Sequence, residues 1–286
     1  LSYSEDVVNA GTVTVTVTGK GNYEESFEVT YQITKRPVTL KSADLEKVYD
    51  GTALVNGDTA LETEEGWAEG EGATYSFTGT QTNAGSSKNA FTYTLKDNTK
   101  EGNYSITKKE GTLTVTPKSI VPDGPDTPEE KKTGITVSDP SDSKYDGKEH
   151  REVLTVQDTK TNEELVAEKD YSVTYSDDLV NAGTVTITIE GTGNYTGSFT
   201  KTYEITKRSV TLTSATASKT YDGRALTSTS ITVSGDGFVK GEGATYNVTG
   251  SQTEVGESKN TFTYELKSNT KASNYNITKA EGKLIV

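Results

Sequence analysis

The chain has 286 residues, 30% of them hydrophobic, with 6 Phe, 1 Trp and 16 Tyr, a composition for several thin cores rather than one large one. Its 29 Lys and Arg stand against 42 Asp and Glu, a formal charge of −13, which repels nucleic acid and anionic lipid and excludes both as expected partners. There is no cysteine, hence no disulfide framework and no thiolate chemistry, and no run of about eighteen apolar residues that would insert into a membrane.

From the N-terminus, Val13, Val15 and Val17 alternate with Thr, and Gly21-Asn22-Tyr23 then breaks the run. Phe27, Val29, Tyr31 and Ile33 alternate with polar residues on the return. Alternation about a Gly-Asn turn predicts a β-hairpin with one face buried and one wet. The segment returns at one constant offset: Asn9-Ala10-Gly11 as Asn181-Ala182-Gly183, and Gly21-Asn22-Tyr23 as Gly193-Asn194-Tyr195. A fixed long period means tandem modules. Residues 1–36 read as the second half of a first-type module, so the sequence, which begins inside a repeat and lacks Met, is expected to be an internal fragment. A half module cannot bury its apolar face alone, and its open edges predict a strand-paired dimer.

Residues 37–116 form a second module type. It opens with an alternating strand (Val38, Leu40) and Tyr49-Asp50-Gly51, and continues with strands containing Tyr75 and Phe77, then Phe91, Tyr93 and Leu95, then Leu113 and Val115. Residues 117–133 hold Pro122, Pro125 and Pro128 followed by Glu129-Glu130-Lys131-Lys132, which predicts a semi-rigid linker of polyproline character. A complete first-type module follows over 134–208, with Val185, Ile187 and Ile189 on one strand face. Within it, Asn162 to Lys169 is the one stretch of good helix formers, enough for a turn or one short helix. Residues 209–286 repeat the second type, with Tyr221-Asp222-Gly223 for Tyr49-Asp50-Gly51, although Glu254-Val255-Gly256 replaces Asn83-Ala84-Gly85. Both types share one skeleton: Tyr-Asp-Gly, a Gly turn, an alternating strand, Asn-Tyr and a closing strand. The predicted class is all-β, with tandem small modules of β-grasp-like or Ig-like sandwich form and little helix.

Lys144-Tyr145-Asp146-Gly147, Asn181-Ala182-Gly183-Thr184 and Gly193-Asn194-Tyr195-Thr196-Gly197 resemble the repeats arrayed on wall-anchored surface proteins of Firmicutes. Lys219-Thr220-Tyr221-Asp222-Gly223 is similar to the MBG and YDG repeat families of bacterial adhesins. The resemblance implies an extracellular, cell-wall-associated location and an adhesin-type role, and it brings no catalytic residue or cofactor.

The residues themselves offer little catalysis. With His150 as the single histidine, a Ser-His-Asp arrangement has one possible base, and His150 sits in a charged turn where a surface role is the simpler reading. Glu62, Glu64, Glu65, Glu69 and Glu71 cluster around Trp67, but the second copy carries Asp236, Gly237, Phe238 and Lys240 there, so a paired-carboxylate site is not repeated. Asp139, Asp142 and Asp146 loosely suggest Ca²⁺ ligands without the alternation of a calcium loop, and a solvated acidic loop explains them as well. An intramolecular Lys–Asn isopeptide bond could join Lys41 or Lys47 to Asn103. No catalytic, metal or cofactor residue is therefore expected, and the protein is not read as an enzyme. The candidate ligand-binding residues are Trp67 and Tyr75 with their counterparts Phe238 and Tyr246, aromatics that can stack on a sugar or plug a core. The functional expectation is a stalk or interaction module that presents distal domains and contacts host glycans or extracellular proteins weakly and repeatedly. The alternative is a carbohydrate-binding accessory region of a secreted glycan-degrading enzyme.

Overall fold

A computed structural model describes residues 1–57 and 60–286. It is all-β: helix among the described residues is limited to the 3-10 turns Glu101–Asn103, Glu129–Lys131 and Ala272–Asn274. The strands form small mixed sheets of two to four members. The chain divides into two compact units, one of Leu1–Ser119 with Gly191–Thr196, the other of Ile120–Glu190 with Gly197–Val286.

In the first unit, Gly11–Thr18 and Ser26–Ile33 form the expected hairpin, with Val13 opposite Tyr31, Val15 opposite Val29 and Val17 opposite Phe27. Val13 is buried, but Phe27, Val29 and Tyr31 remain 61%, 50% and 46% exposed, so the apolar face is mostly uncovered. Beyond it, Arg36–Lys41 lies parallel to Tyr104–Lys109 and antiparallel to Thr63–Glu65. The chain then changes sheets: Leu45–Val48 runs parallel to Gly111–Thr116, which pairs with Gly85–Asn89. Val38, Leu40 and Tyr104 of the first of these sheets form a buried cluster with Phe91, which lies on the antiparallel pair of Ala73–Phe77 and Phe91–Leu95. Full burial of a Leu or Phe side chain stabilises by about 1.5–3 kcal/mol, so a few such residues hold each thin module together.

The sheet change is fixed by polar groups that the hydrophobic pattern does not reveal. Ser42 is fully buried; its Oγ donates to the Asn89 carbonyl at 2.6 Å and accepts from the Gly111 N–H at 2.9 Å. Asn89 Nδ2 donates to the Ala43 carbonyl at 2.9 Å. A Cβ on Gly111 would come within 2.3 Å of that carbonyl oxygen, which explains the glycine. Ser214, Asn260 and Gly282 repeat the arrangement in the second unit.

The second unit contains a four-stranded sheet in which Ser198–Thr206 lies between Ser143–Lys144 and Gly183–Gly191, with Tyr171–Tyr175 beyond. Here the hairpin face is covered: Val185, Ile187, Ile189, Tyr203 and Ile205 are buried. The second-type copy repeats the earlier one, with Arg208–Ser214 parallel to Tyr275–Ala280 and Ala217–Ser218 parallel to Lys283–Ile285.

Two segments are shaped by contacts that strand and turn patterns do not announce. Of the turn and the short helix expected over 162–169, the turn is formed: Glu163–Glu164 pairs with Val156–Asp158. Asn162 and Glu168 adopt φ of 58° and 66°, which interrupts any helical run. The Pro-rich stretch is also more than a spacer. Lys118–Ser119 pairs in parallel with Tyr195–Thr196 inside the first unit. In the second, Ile120 is buried, and Asp123 accepts the N–H groups of Thr133 and Gly134 at 2.8 and 2.7 Å, closing 123–134 into a loop.

Candidate functional site

The motifs that define the repeat meet in space. Asp6 Oδ1 accepts the N–H groups of Asn9 and Val8 at 2.9 and 3.1 Å, and its Oδ2 accepts from Asn9 Nδ2 at 2.6 Å. These bonds favour the charged form and hold the Asp6 carboxyl down at about 2. Asn9, so oriented, accepts at Oδ1 from Asn103 Nδ2 at 2.8 Å, while Asn103 Oδ1 accepts the Ala10 N–H at 2.8 Å. The result is a two-bond clip between an Asn-Ala-Gly turn and an Asn-Tyr turn.

The clip occurs three times. In the second unit Asp178 orients Asn181, and Asn274 bonds Asn181 Oδ1 at 3.0 Å and the Ala182 N–H at 2.9 Å. In the first unit Asn194 does the same with Asn83 Oδ1 at 3.1 Å and the Ala84 N–H at 2.8 Å. An amide side chain is suited to this role because it offers a donor and an acceptor side by side.

The tyrosine after each of these asparagines is buried: Tyr104, Tyr195 and Tyr275. Tyr104 donates its phenol to Glu71 at 2.7 Å and accepts the Ala68 N–H at 3.2 Å. Tyr275 donates to Glu242 at 2.7 Å and accepts the Val239 N–H at 3.0 Å. Burial is the main cause that pushes the Tyr275 phenol up to about 12. The Tyr-Asp-Gly motif joins the same place. Tyr145 donates to the other oxygen of Glu242 at 2.5 Å and meets Tyr275 edge to face at 5.7 Å. Tyr49 and Tyr195 make the matching contact at 5.7 Å. Such aromatic pairs contribute about 0.5–1.5 kcal/mol beyond their burial.

The aromatic candidates flank these clusters. Trp67 is half-buried and packs edge-on against Tyr104 at 4.8 Å; Phe238 packs likewise against Tyr275 at 5.0 Å. Tyr75 shares the Trp67 cluster, and burial, reinforced by Glu64, raises its phenol. Tyr246 stands opposite Tyr264 on the wall of a shallow depression of about 220 Å³ completed by Thr245, Asn247, Thr263 and Glu265. Tyr264, Glu71 and Glu242 are not singled out by sequence as site residues, although the identity of Gly70–Tyr75 with Gly241–Tyr246 marks both glutamates as shared between the copies.

The remaining polar candidates are engaged locally. His150 Nε2 lies 3.0 Å from Asp146 Oδ1, Asp139 pairs with Lys201 at 2.6 Å, and Asp142 accepts the Glu204 N–H at 2.8 Å. No group of three or more His, Cys, Asp or Glu that could hold a metal ion exists among the described residues. Lys41 pairs with Glu62 at 2.6 Å and Lys47 with Asp50 at 2.7 Å, whereas Asn103 serves the clip. The groups named for an isopeptide bond, Lys41 or Lys47 and Asn103, are thus each engaged with other partners.

No family model matches the chain, and no curated protein is significantly similar to it. Among solved structures, the crystal structure of a protocadherin GammaB4 extracellular domain aligns at 10% identity and a TM-score of 0.20, over 97% of this chain and 55% of that one. The chain thus spans about half the length of that structure, and a likeness at this level assigns no function. No helix among the described residues is long and apolar enough to cross a membrane.

Proposed function

We propose that the chain is a repeat region of a bacterial cell-surface protein, acting as a stalk and interaction module that presents other domains outside the cell. The observation that carries this reading is the use of the repeated motifs: Asn-Ala-Gly and Asn-Tyr form one clip, made three times with the same atoms, and a Tyr-Asp-Gly tyrosine packs against two of the three. Residues shared between copies serve to bind one turn of the chain to another, as a load-bearing array requires. Weak contacts with glycans or extracellular proteins would gain from the repetition, because linked modules raise effective concentration.

Mechanical stretching from the two termini tests the stalk. A second-type module of roughly 80 residues is expected to release about 270 Å of chain in a discrete step, at the extended length per residue. A featureless extension at low force would remove the stalk reading. The accessory-module alternative draws on the depression lined by Tyr246 and Tyr264, both half-buried. It requires saturable glycan binding that is lost in Tyr246→Ala.

A further inference from the structure

One half of the clip stands open at each of two places. Gly19–Glu25 carries Asn22-Tyr23 on a tip whose two positive-φ positions match those of the occupied Gly191–Gly197 tip. Gly21 and Gly193 have φ of 73° and 63°, and Glu25 and Gly197 have φ of 73° and 86°. Yet Tyr23 is 79% exposed, whereas Tyr195 is 3% exposed. The receiving half is preformed around Tyr221. Lys219 pairs with Asp222 at 2.7 Å as Lys47 does with Asp50. Gln252 Nε2 holds the Glu254 carbonyl at 2.7 Å as Gln81 holds that of Asn83. Gly256 repeats the φ of Gly85, 147° against 138°. Here Tyr221 is 52% and Val255 76% exposed.

We propose that the Gly19–Glu25 tip of one copy seats on Tyr221 and the Glu254–Gly256 turn of a second copy, forming head to tail the joint that Asn194 and Tyr195 form with Ala84 and Tyr49. Asn22 Oδ1 accepts the Val255 N–H, and Tyr23 packs edge-on against Tyr221. The substitutions at this joint are matched in charge. The tip carries Lys20 where the occupied one has Thr192, and the turn carries Glu254 where the occupied one has Asn83. The closed clips already bring a tip lysine near a turn carboxylate, since Lys100 contributes to lowering Asp6 and Lys271 to lowering Asp178. A pairing of two unlike surfaces does not close on itself as a two-fold dimer does, so it adds copies in line.

Sedimentation velocity of the 286-residue chain tests this, over a range from about 10 μM to about 1 mM, where weak interfaces become populated. The weight-average sedimentation coefficient is expected to rise without levelling at a dimer. Tyr23→Ala and Tyr221→Ala should each abolish the rise. Lys20→Glu should weaken it, and Lys20→Glu combined with Glu254→Lys should restore it. These side chains are exposed, and an unchanged far-ultraviolet spectrum will show that the variants fold. A monomer across the whole range overturns the proposal. So does association that survives Tyr23→Ala and Tyr221→Ala but is lost in Val29→Lys, which would place the contact on the open hairpin face.

Discussion

At the scale of single residues, two of the three clips depend on an aspartate that orients the asparagine of the Asn-Ala-Gly turn. Asp6 and Asp178 fix the amides of Asn9 and Asn181, and those amides then meet Asn103 and Asn274. Both carboxyls are held below their usual value by the N–H groups of the turn, Asp6 at about 2. A group that binds its proton less readily when folded contributes stability above its unfolded pKa, here near 3.8, and loses that contribution as pH falls toward the folded one. Denaturant midpoints are therefore expected to fall between pH 4 and about 2. Asp6→Asn with Asp178→Asn should flatten that part of the profile, because an amide binds no proton in this range. An unchanged acid limb in the double variant would show that these turns do not report on folding.

At the scale of elements, strand alternation was readable and its consequences were not. Val13, Val15 and Val17 announce a hairpin just as Val185, Ile187 and Ile189 do, and both hairpins form. What differs is the cover: Tyr203 is 2% exposed, but Tyr31, its counterpart, is 46% exposed. The residues that bury Tyr203 belong to other elements, so the strand itself carries no sign of it. Ser42, Asn89 and Gly111 were equally silent, because a buried polar triad has no hydrophobic period. Only their recurrence as Ser214, Asn260 and Gly282 could have signalled them. The stretch 162–169 left a turn and a short helix both open for a related reason. Its Glu, Leu and Ala favour helix in isolation, while Asp170 Oδ2 captures the Val166 N–H at 2.9 Å and Leu165 is drawn into the core. The contrast between the two hairpins is measurable. Tyr203→Ala should destabilise the second unit by about 3–5 kcal/mol, as for other large aromatic truncations in a core. Tyr31→Ala should cost well under half as much, with chemical denaturation as the readout; equal losses would mean that the first hairpin face is covered in solution.

At the scale of the whole molecule, the clips at Asn103 and Asn274 lie in different compact units, each with its own sheets and core. They share no partner atom: Asn103 serves Asn9 and Ala10, and Asn274 serves Asn181 and Ala182. Replacing either asparagine by alanine removes two hydrogen bonds and strands a backbone N–H, a loss of about 1–3 kcal/mol at a buried site. Because a chain of several domains need not unfold in one step, Asn103→Ala is expected to shift one calorimetric transition and Asn274→Ala another. In the double variant the two shifts should add to within roughly 0.5 kcal/mol, the limit found for independent sites. Additivity would make each clip a local fastening, so that an array of such modules could lose one joint and keep the rest. A coupling well beyond that limit would instead mean that the units share their stability, and the modules would then have to be treated as one cooperative body.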